Sequence, residues 1–316
     1  MALLSASNLR KSFNGRVVVN GVSITVNPAE VVGLLGRNGA GKTTSFRMTI
    51  GMIDADGGQV LFDGQDVTAM PMYRRARLGM GYLSQEPSVF QRLTCEENLL
   101  AILETLPIPG RERRIRAGEL LAQFGLTHKA HEAARTCSGG ERRKLEIARA
   151  LVTNPRLILL DEPFSGVDPI AVEDLQAEIR RLASRGIAAL ITDHNVQQTL
   201  RVCDRAYIID DGRVFAEGTP RELINNEMVR RVYLGSLFRG DEFDPPAAPP
   251  PAPATQPAPA AKPQAPVPNA PKPAIAPTAP APTAGSGAPQ PTKGVATSGL
   301  QPGPLNLSSL RPGPRR

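Results

Sequence analysis

Residues 36–43 read GRNGAGKT, which fits the spacing G-x-x-x-x-G-K-[ST] of a turn that cradles phosphate. The residue types follow from that chemistry. Gly36, Gly39 and Gly41 let backbone N–H groups converge on a polyphosphate with no Cβ in the way. Arg37, Asn38 and Ala40 lend the remaining amides, and Thr44 continues into the helix. A helix opening near Lys42 points its positive end at the anion. Lys42 is placed to reach the β- and γ-phosphates of a nucleotide such as ATP, and the Thr43 hydroxyl suits Mg²⁺. GTPases, kinases and motors share this turn, so alone it predicts nucleotide binding and no more.

A second constellation narrows the chemistry. Leu157–Leu160 is wholly apolar and precedes Asp161 and Glu162, so a buried strand delivers two carboxylates to the sheet edge where ligands bind. Asp161 would hold Mg²⁺ through water, and Glu162 would polarise the attacking water. An acidic strand end can also simply cap the next turn; the phosphate-binding turn weighs for hydrolysis.

Residues 138–150, SGGERRKLEIARA, resemble the signature of ABC ATPases, usually LSGGQ followed by a basic amphipathic helix. Physically, Ser138, Gly139 and Gly140 form a second anion-binding helix start with no phosphate of its own. Cys137 replaces the usual Leu and Glu141 the usual Gln, and neither change removes a phosphate donor. Further motifs appear in family order. Gln85 in GYLSQE resembles the Q-loop, Gly166-Val167-Asp168 the D-loop, His194 the switch histidine, and Phe13 the aromatic that stacks on adenine. The resemblance spans about residues 5–240. It implies ATP and Mg²⁺ as cofactors, Glu162 and His194 as catalytic residues, and Thr43, Gln85 and Asp161 at the metal. It also implies a head-to-tail homodimer in which each signature closes on the ATP of the other copy.

Other stretches bear on the substrate. RARLGMGYLSQEPSVFQRL at 75–93, LDEPFSGVDPIAV at 160–172, LITDHNVQQTL at 190–200 and VRRVYLG at 229–235 are similar to the lipopolysaccharide-export branch of the family. That resemblance implies transmembrane permease subunits docking near Ser88, Val89, Phe90, Gln91 and Arg92, and a place on the cytoplasmic face of the inner membrane. Ser84 and Gln91 depart from the branch, which commonly has Pro and Arg there. ATPases of branched-chain amino-acid uptake are a second reading, similar from the phosphate turn through the helical insertion. ABC ATPases that act without a membrane partner, in DNA repair or on ribosomes, are a third; they carry coiled-coil or zinc insertions, or two cassettes.

Apolar strands alternating with helices must position these residues, which predicts a parallel α/β sheet covered on both faces. Strands are expected at Glu30–Gly36, Leu157–Leu160 and Ile187–Thr192, with helices at 42–51, 140–153, 170–185 and 219–233. Hairpins are expected within 17–26 at its Asn-Gly pair, within 57–67 at Asp63-Gly64, and over Asp211-Gly212. Residues 92–136 read as helical, broken at Pro107–Gly110. The fold class is therefore α/β: a P-loop NTPase cassette of ABC type with an antiparallel β subdomain and a helical insertion at about 88–140.

Composition divides the chain. Of 31 prolines, 22 fall in residues 245–316, no aromatic follows Phe243, and Asp244 is the last acid. The expectation is an ATPase domain over 1–243 and a disordered Pro/Ala-rich tail over 244–316, too poor in large apolar side chains to offset its ordering entropy. Lys262, Lys272, Lys293, Arg311, Arg315 and Arg316 give that tail six of the net +7 charges. Charge scattered along a Pro-rich segment is not a folded basic face, so no nucleic-acid partner is expected. Cys95, Cys137 and Cys203 lack a CxxC pairing and fit a reducing cytosol. The start shows no secretory signal pattern, and no apolar stretch reaches the roughly 20 residues a membrane span needs. Any membrane role must come through a partner.

Overall fold

The computed structural model describes residues 1–234, so the segment assigned to a Pro/Ala-rich tail lies outside the described residues. Strands β1 (Leu4–Phe13) and β2 (Arg16–Val26) open the chain, followed by β3 (Val31–Gly36) and helix α1 (Lys42–Ile50). Next come β4 (Gly57–Phe62), β5 (Gln65–Asp66), α2 (Met72–Leu78) and β6 (Met80–Leu83). The helical insertion contains α3 (Cys95–Leu103) and α4 (Gly110–Gln123), and α5 (Gly139–Leu151) leads back to the sheet. Then follow β7 (Leu157–Asp161), α6 (Pro169–Ser184), β8 (Ala188–Thr192), α7 (Val196–Val202), β9 (Arg205–Asp210), β10 (Arg213–Gly218) and α8 (Pro220–Asn225).

Among the described residues the strands form two sheets. One is antiparallel, ordered β2-β1-β4-β5; the other is ordered β10-β9-β3-β8-β7-β6. In the second, β6, β7, β8, β3 and β9 run parallel and only β10 is antiparallel. Every residue of β3, β7 and β8 is buried, which explains why these strands carry no alternation of apolar with polar. Successive side chains still face opposite ways. Leu157 and Leu159 pack with Phe46, Ile50 and Phe62 beneath the antiparallel layer. Ile158 and Leu160 pack with Leu99, Leu121, Leu145 and Ile179 beneath the helices. The central strands are thus clamped between two cores, and their carboxyl ends can hold side chains at fixed positions.

Two expectations need correction. The first hairpin turns at Asn14-Gly15, not within 17–26: Phe13 pairs with Arg16, and both turn residues are left-handed at φ 49 and 80. Gly21 instead lies inside β2 at φ 85, where Leu9 pairs with Val22 but Arg10 pairs with Asn20. It is the extra residue of a bulge. The bulge turns the Asn20 N–H onto the Gly212 carbonyl at 2.7 Å, and the Gly212 N–H in turn meets the Ala40 carbonyl at 3.0 Å. The second correction is at the other end. The helix expected over 219–233 stops at Asn225, because Asn226 is extended and its side chain caps a new turn at Met228 and Val229.

Candidate nucleotide-binding and hydrolysis site

The phosphate-binding turn is built where β3 outruns its neighbour. Gly36 leaves the strand at φ 150, and a Cβ there would sit 2.2 Å from the Ile209 carbonyl oxygen. Gly41 caps α1 at φ 100, and its Cβ would sit 2.7 Å from the Val18 carbonyl oxygen, so both positions require glycine. Arg37, Asn38 and Gly39 form the exposed arc between them, while Ala40 is buried. Lys42 is buried, and its Nζ donates to the carbonyls of Gly36 (2.5 Å) and Arg37 (2.9 Å). Burial lowers its pKa, partly opposed by the charge of Glu162. Thr43 and Thr44 are half-buried in the first turn of α1.

At the end of β7, Asp161 is buried; its Oδ1 accepts from the Thr192 hydroxyl at 2.7 Å, and its Oδ2 has no hydrogen-bond partner. Burial raises its pKa. Glu162 adopts φ 46, a left-handed conformation unusual for a non-glycine residue, while its N–H donates to the Thr192 carbonyl at 2.8 Å. The side chain consequently turns to meet two others. Glu162 Oε2 accepts from Gln85 Nε2 at 3.0 Å and lies 3.3 Å from His194 Nδ1. His194 Nδ1 also lies 3.4 Å from Asp193 Oδ1. Asp193 is itself buried, which raises its pKa, and it accepts the N–H groups of Phe164 and Asn195. Two residues far apart in sequence, Gln85 and His194, thus converge on one carboxylate oxygen of Glu162.

The signature start is arranged differently. Ser138 and Gly139 are exposed at the head of α5. The Ser138 hydroxyl accepts the Glu141 N–H at 3.2 Å, and Glu141 Oε2 accepts the Ser138 N–H at 2.8 Å, a reciprocal capping box. A Cβ on Gly140 would come 2.6 Å from Ala171 Cβ, which explains the glycine by close approach to α6. Among the described residues no hydrogen bond joins Ser138, Gly139 or Gly140 to the Gly36–Thr44 turn. Phe13 also stands apart, exposed, with Lys11 Nζ 5.6 Å from its ring centre.

Sequence reasoning missed the residue that ties α5 to the chain leaving β6 and β7. Arg143, buried on α5, donates to the carbonyls of Ser84 (2.9 Å), Asp161 (3.0 Å), Glu162 (3.0 Å) and Pro163 (3.2 Å), and pairs with Glu146 at 2.9 Å. Glu146 accepts the Ser88 N–H at 2.7 Å, and Arg149 donates to the Ser88 carbonyl while its guanidinium lies 4.5 Å from the Phe90 ring centre. Asn98 holds the Phe90 backbone on both sides, at 2.8 and 3.0 Å. Phe90 is 45% exposed.

The sequence profile of the ABC transporter family matches residues 19–165. The lipopolysaccharide export system ATP-binding protein LptB of Haemophilus influenzae is 52% identical over 240 residues, covering 76% of this chain and 100% of that protein. This chain belongs to the ABC transporter family. LptB of Escherichia coli is 51% identical over the same shares of both chains. A solved ATP-binding cassette of an ABC transporter in its ADP conformation has a TM-score of 0.68 at 30% identity, covering 74% of this chain and 99% of that one. The chain is accordingly an ATP-binding, ATP-hydrolysing ABC cassette, with the α/β fold and antiparallel layer expected of one. Among the described residues no helix of this ABC cassette is long and apolar enough to cross a membrane.

Proposed function

We propose that this cassette powers lipopolysaccharide export, working as a homodimer on the cytoplasmic face of the inner membrane and without nucleic acid. The observation that carries the reading is identity above half that runs the whole length of a curated export ATPase. In the segment Ser88, Val89, Phe90, Gln91 and Arg92, the four exposed residues would receive transmembrane permease subunits, while the Val89 side chain is buried in the core. An exposed Phe90 fixed by Asn98 and stacked by Arg149 is a suitable anchor for a partner helix.

The residues suit one chemistry. Amides of Gly36–Thr44 and the Lys42 ammonium receive the ATP phosphates, and Phe13 stacks on adenine, typically worth ~1–3 kcal/mol. Asp161, Thr43 and Gln85 would hold Mg²⁺. A buried carboxylate oxygen of Asp161 lacking a partner fits a hard cation. Bound there, Mg²⁺ would neutralise charge on the phosphate oxygens. Glu162 Oε2 orients the attacking water and takes its proton, with Gln85 and His194 fixing that oxygen. Ser138, Gly139 and Gly140 of a second copy close the site from the opposite side.

Two measurements test this. Glu162→Gln should bind ATP within about twofold of the parent chain and hydrolyse it roughly 10²–10⁴-fold more slowly. The parent chain, isolated from membranes with its partner subunits and placed in vesicles, should release lipopolysaccharide to an acceptor protein only when ATP is supplied. Association with amino-acid permeases instead, with no lipopolysaccharide release, would overturn the substrate and leave the ATPase reading standing.

A further inference from the structure

The last described turn of the chain reaches the phosphate-binding turn. Val229 and Leu234 are buried with Leu35 and Ile208 against the sheet, and the Tyr233 ring packs on the same cluster. The Tyr233 hydroxyl does not face solvent with the outer side of that turn. It accepts the Gly36 N–H at 2.8 Å. The reason lies in the sheet. β8 pairs with β3 only as far as Leu34 opposite Thr192, whereas β9 continues to Gly36 opposite Ile209. The Gly36 N–H, beyond the last β8 pair, finds its acceptor in a side chain 197 residues further along. Burial, with the nearby charge of Asp193, pushes the Tyr233 pKa up to about 12, so the group is a neutral phenol at physiological pH.

Gly36 therefore carries Tyr233 on its N–H and Lys42 on its carbonyl. Close approach to Ile209 excludes any side chain at Gly36. The residue that roots the turn is gripped by β9, by Lys42 and by the phenol. We infer that Tyr233 is a positioning residue for ATP binding, holding Gly36 and through it the seat of Lys42 in the arrangement that receives phosphate. The inference rests on the proposed reading of Gly36–Thr44 as the nucleotide cradle. Without the phenol the turn samples other arrangements, and apparent affinity falls by the fraction of molecules that remain competent. Bound ATP restores the arrangement, so turnover at saturation is spared.

The test is Tyr233→Phe in the full chain, which keeps the ring and deletes only the acceptor. Its Kd and KM for ATP should rise about fivefold, the scale of one hydrogen bond, while kcat changes less than twofold. Leu234→Ala, which removes apolar packing from the same turn, should lower the melting temperature and leave KM within twofold. Lys42→Ala, measured alongside, should lose ATP binding. Unchanged Kd and KM in Tyr233→Phe, a loss confined to kcat, or an equal rise in KM from Leu234→Ala would each overturn the role of Tyr233. Retention of ATP binding by Lys42→Ala would instead overturn the cradle reading.

Discussion

The starts of α1 and α5 are both rich in glycine and point a positive end outward, yet they are finished in opposite ways. At α1 the chain invests backbone geometry. Gly36, Gly39 and Gly41 all have positive φ, no side chain caps the helix, and a buried Lys42 is partnered only by carbonyls. At α5 the start is finished internally, with Ser138 and Glu141 satisfying one another's N–H groups. An uncapped start with a buried cation attracts an anion by itself. A capped start with an acidic residue in its first turn has much of that pull offset and stays stable while exposed. The contrast fits the proposed division of roles, with α1 receiving a nucleotide and α5 left to meet one held by a second copy.

Ser138→Arg should have the largest effect. If α5 completes the site of a second copy, the bulky cation should block closure and reduce hydrolysis at least roughly tenfold, while one ATP per chain still binds at α1 within about twofold. Steady-state ATPase and equilibrium nucleotide titration decide it. Weakened binding by the isolated chain would place both starts in one site.

A smaller effect is expected from Arg143→Ala, which unties α5 from the chain leaving β6 and β7. The buried guanidinium holds four carbonyls and Glu146, so its loss strands a buried carboxylate and should cost about 3–5 kcal/mol. For a domain of this size that corresponds to roughly 6–20 °C in melting temperature. Arg143→Lys should recover only part of it, since one ammonium cannot span the fork. A melting temperature unchanged in Arg143→Ala would show that the carbonyls are served without it.

The residues best read from sequence were those whose spacing is local. GRNGAGKT became a strand, a turn and a helix because three glycines and a lysine dictate that path within eight positions. Asp161 and Glu162 fell at a strand end because four apolar residues precede them. Asn-Gly was read at the wrong copy of itself: the pair at 14–15 makes the turn and that at 20–21 a bulge, a choice settled by pairing with β1. Arg143 and Tyr233 were not legible as site residues. Each is defined by partners remote in the chain, the carbonyls at Ser84 and Asp161 for one and the Gly36 N–H for the other. An arginine in a basic helix and a tyrosine in a closing turn give no local sign that they are tied to buried backbone.

The smallest effect is expected at Glu141 itself. Hydrogen bonding from the Ser138 N–H, the largest cause, holds its carboxyl below the usual glutamate range despite some burial. A depressed folded pKa means the charged form is preferred in the folded state. Its contribution to stability is therefore complete above the ordinary glutamate value and is lost as pH falls through the depressed one. Glu141→Gln keeps an oxygen that can accept from Ser138 and removes the charge, so at neutral pH it should cost about 0.5–1 kcal/mol, within the range of helix caps. It should also flatten the acid side of the stability profile relative to the parent chain, because nothing at position 141 remains to be protonated. Removing a negative charge from the first turn of α5 should at the same time strengthen its pull on an incoming phosphate. If hydrolysis at limiting ATP rises modestly while stability falls, the internal cap and the second anion site compete for the same helix start. Equal losses of stability and hydrolysis would mean that Glu141 only holds the helix, and that its charge has no bearing on what α5 receives.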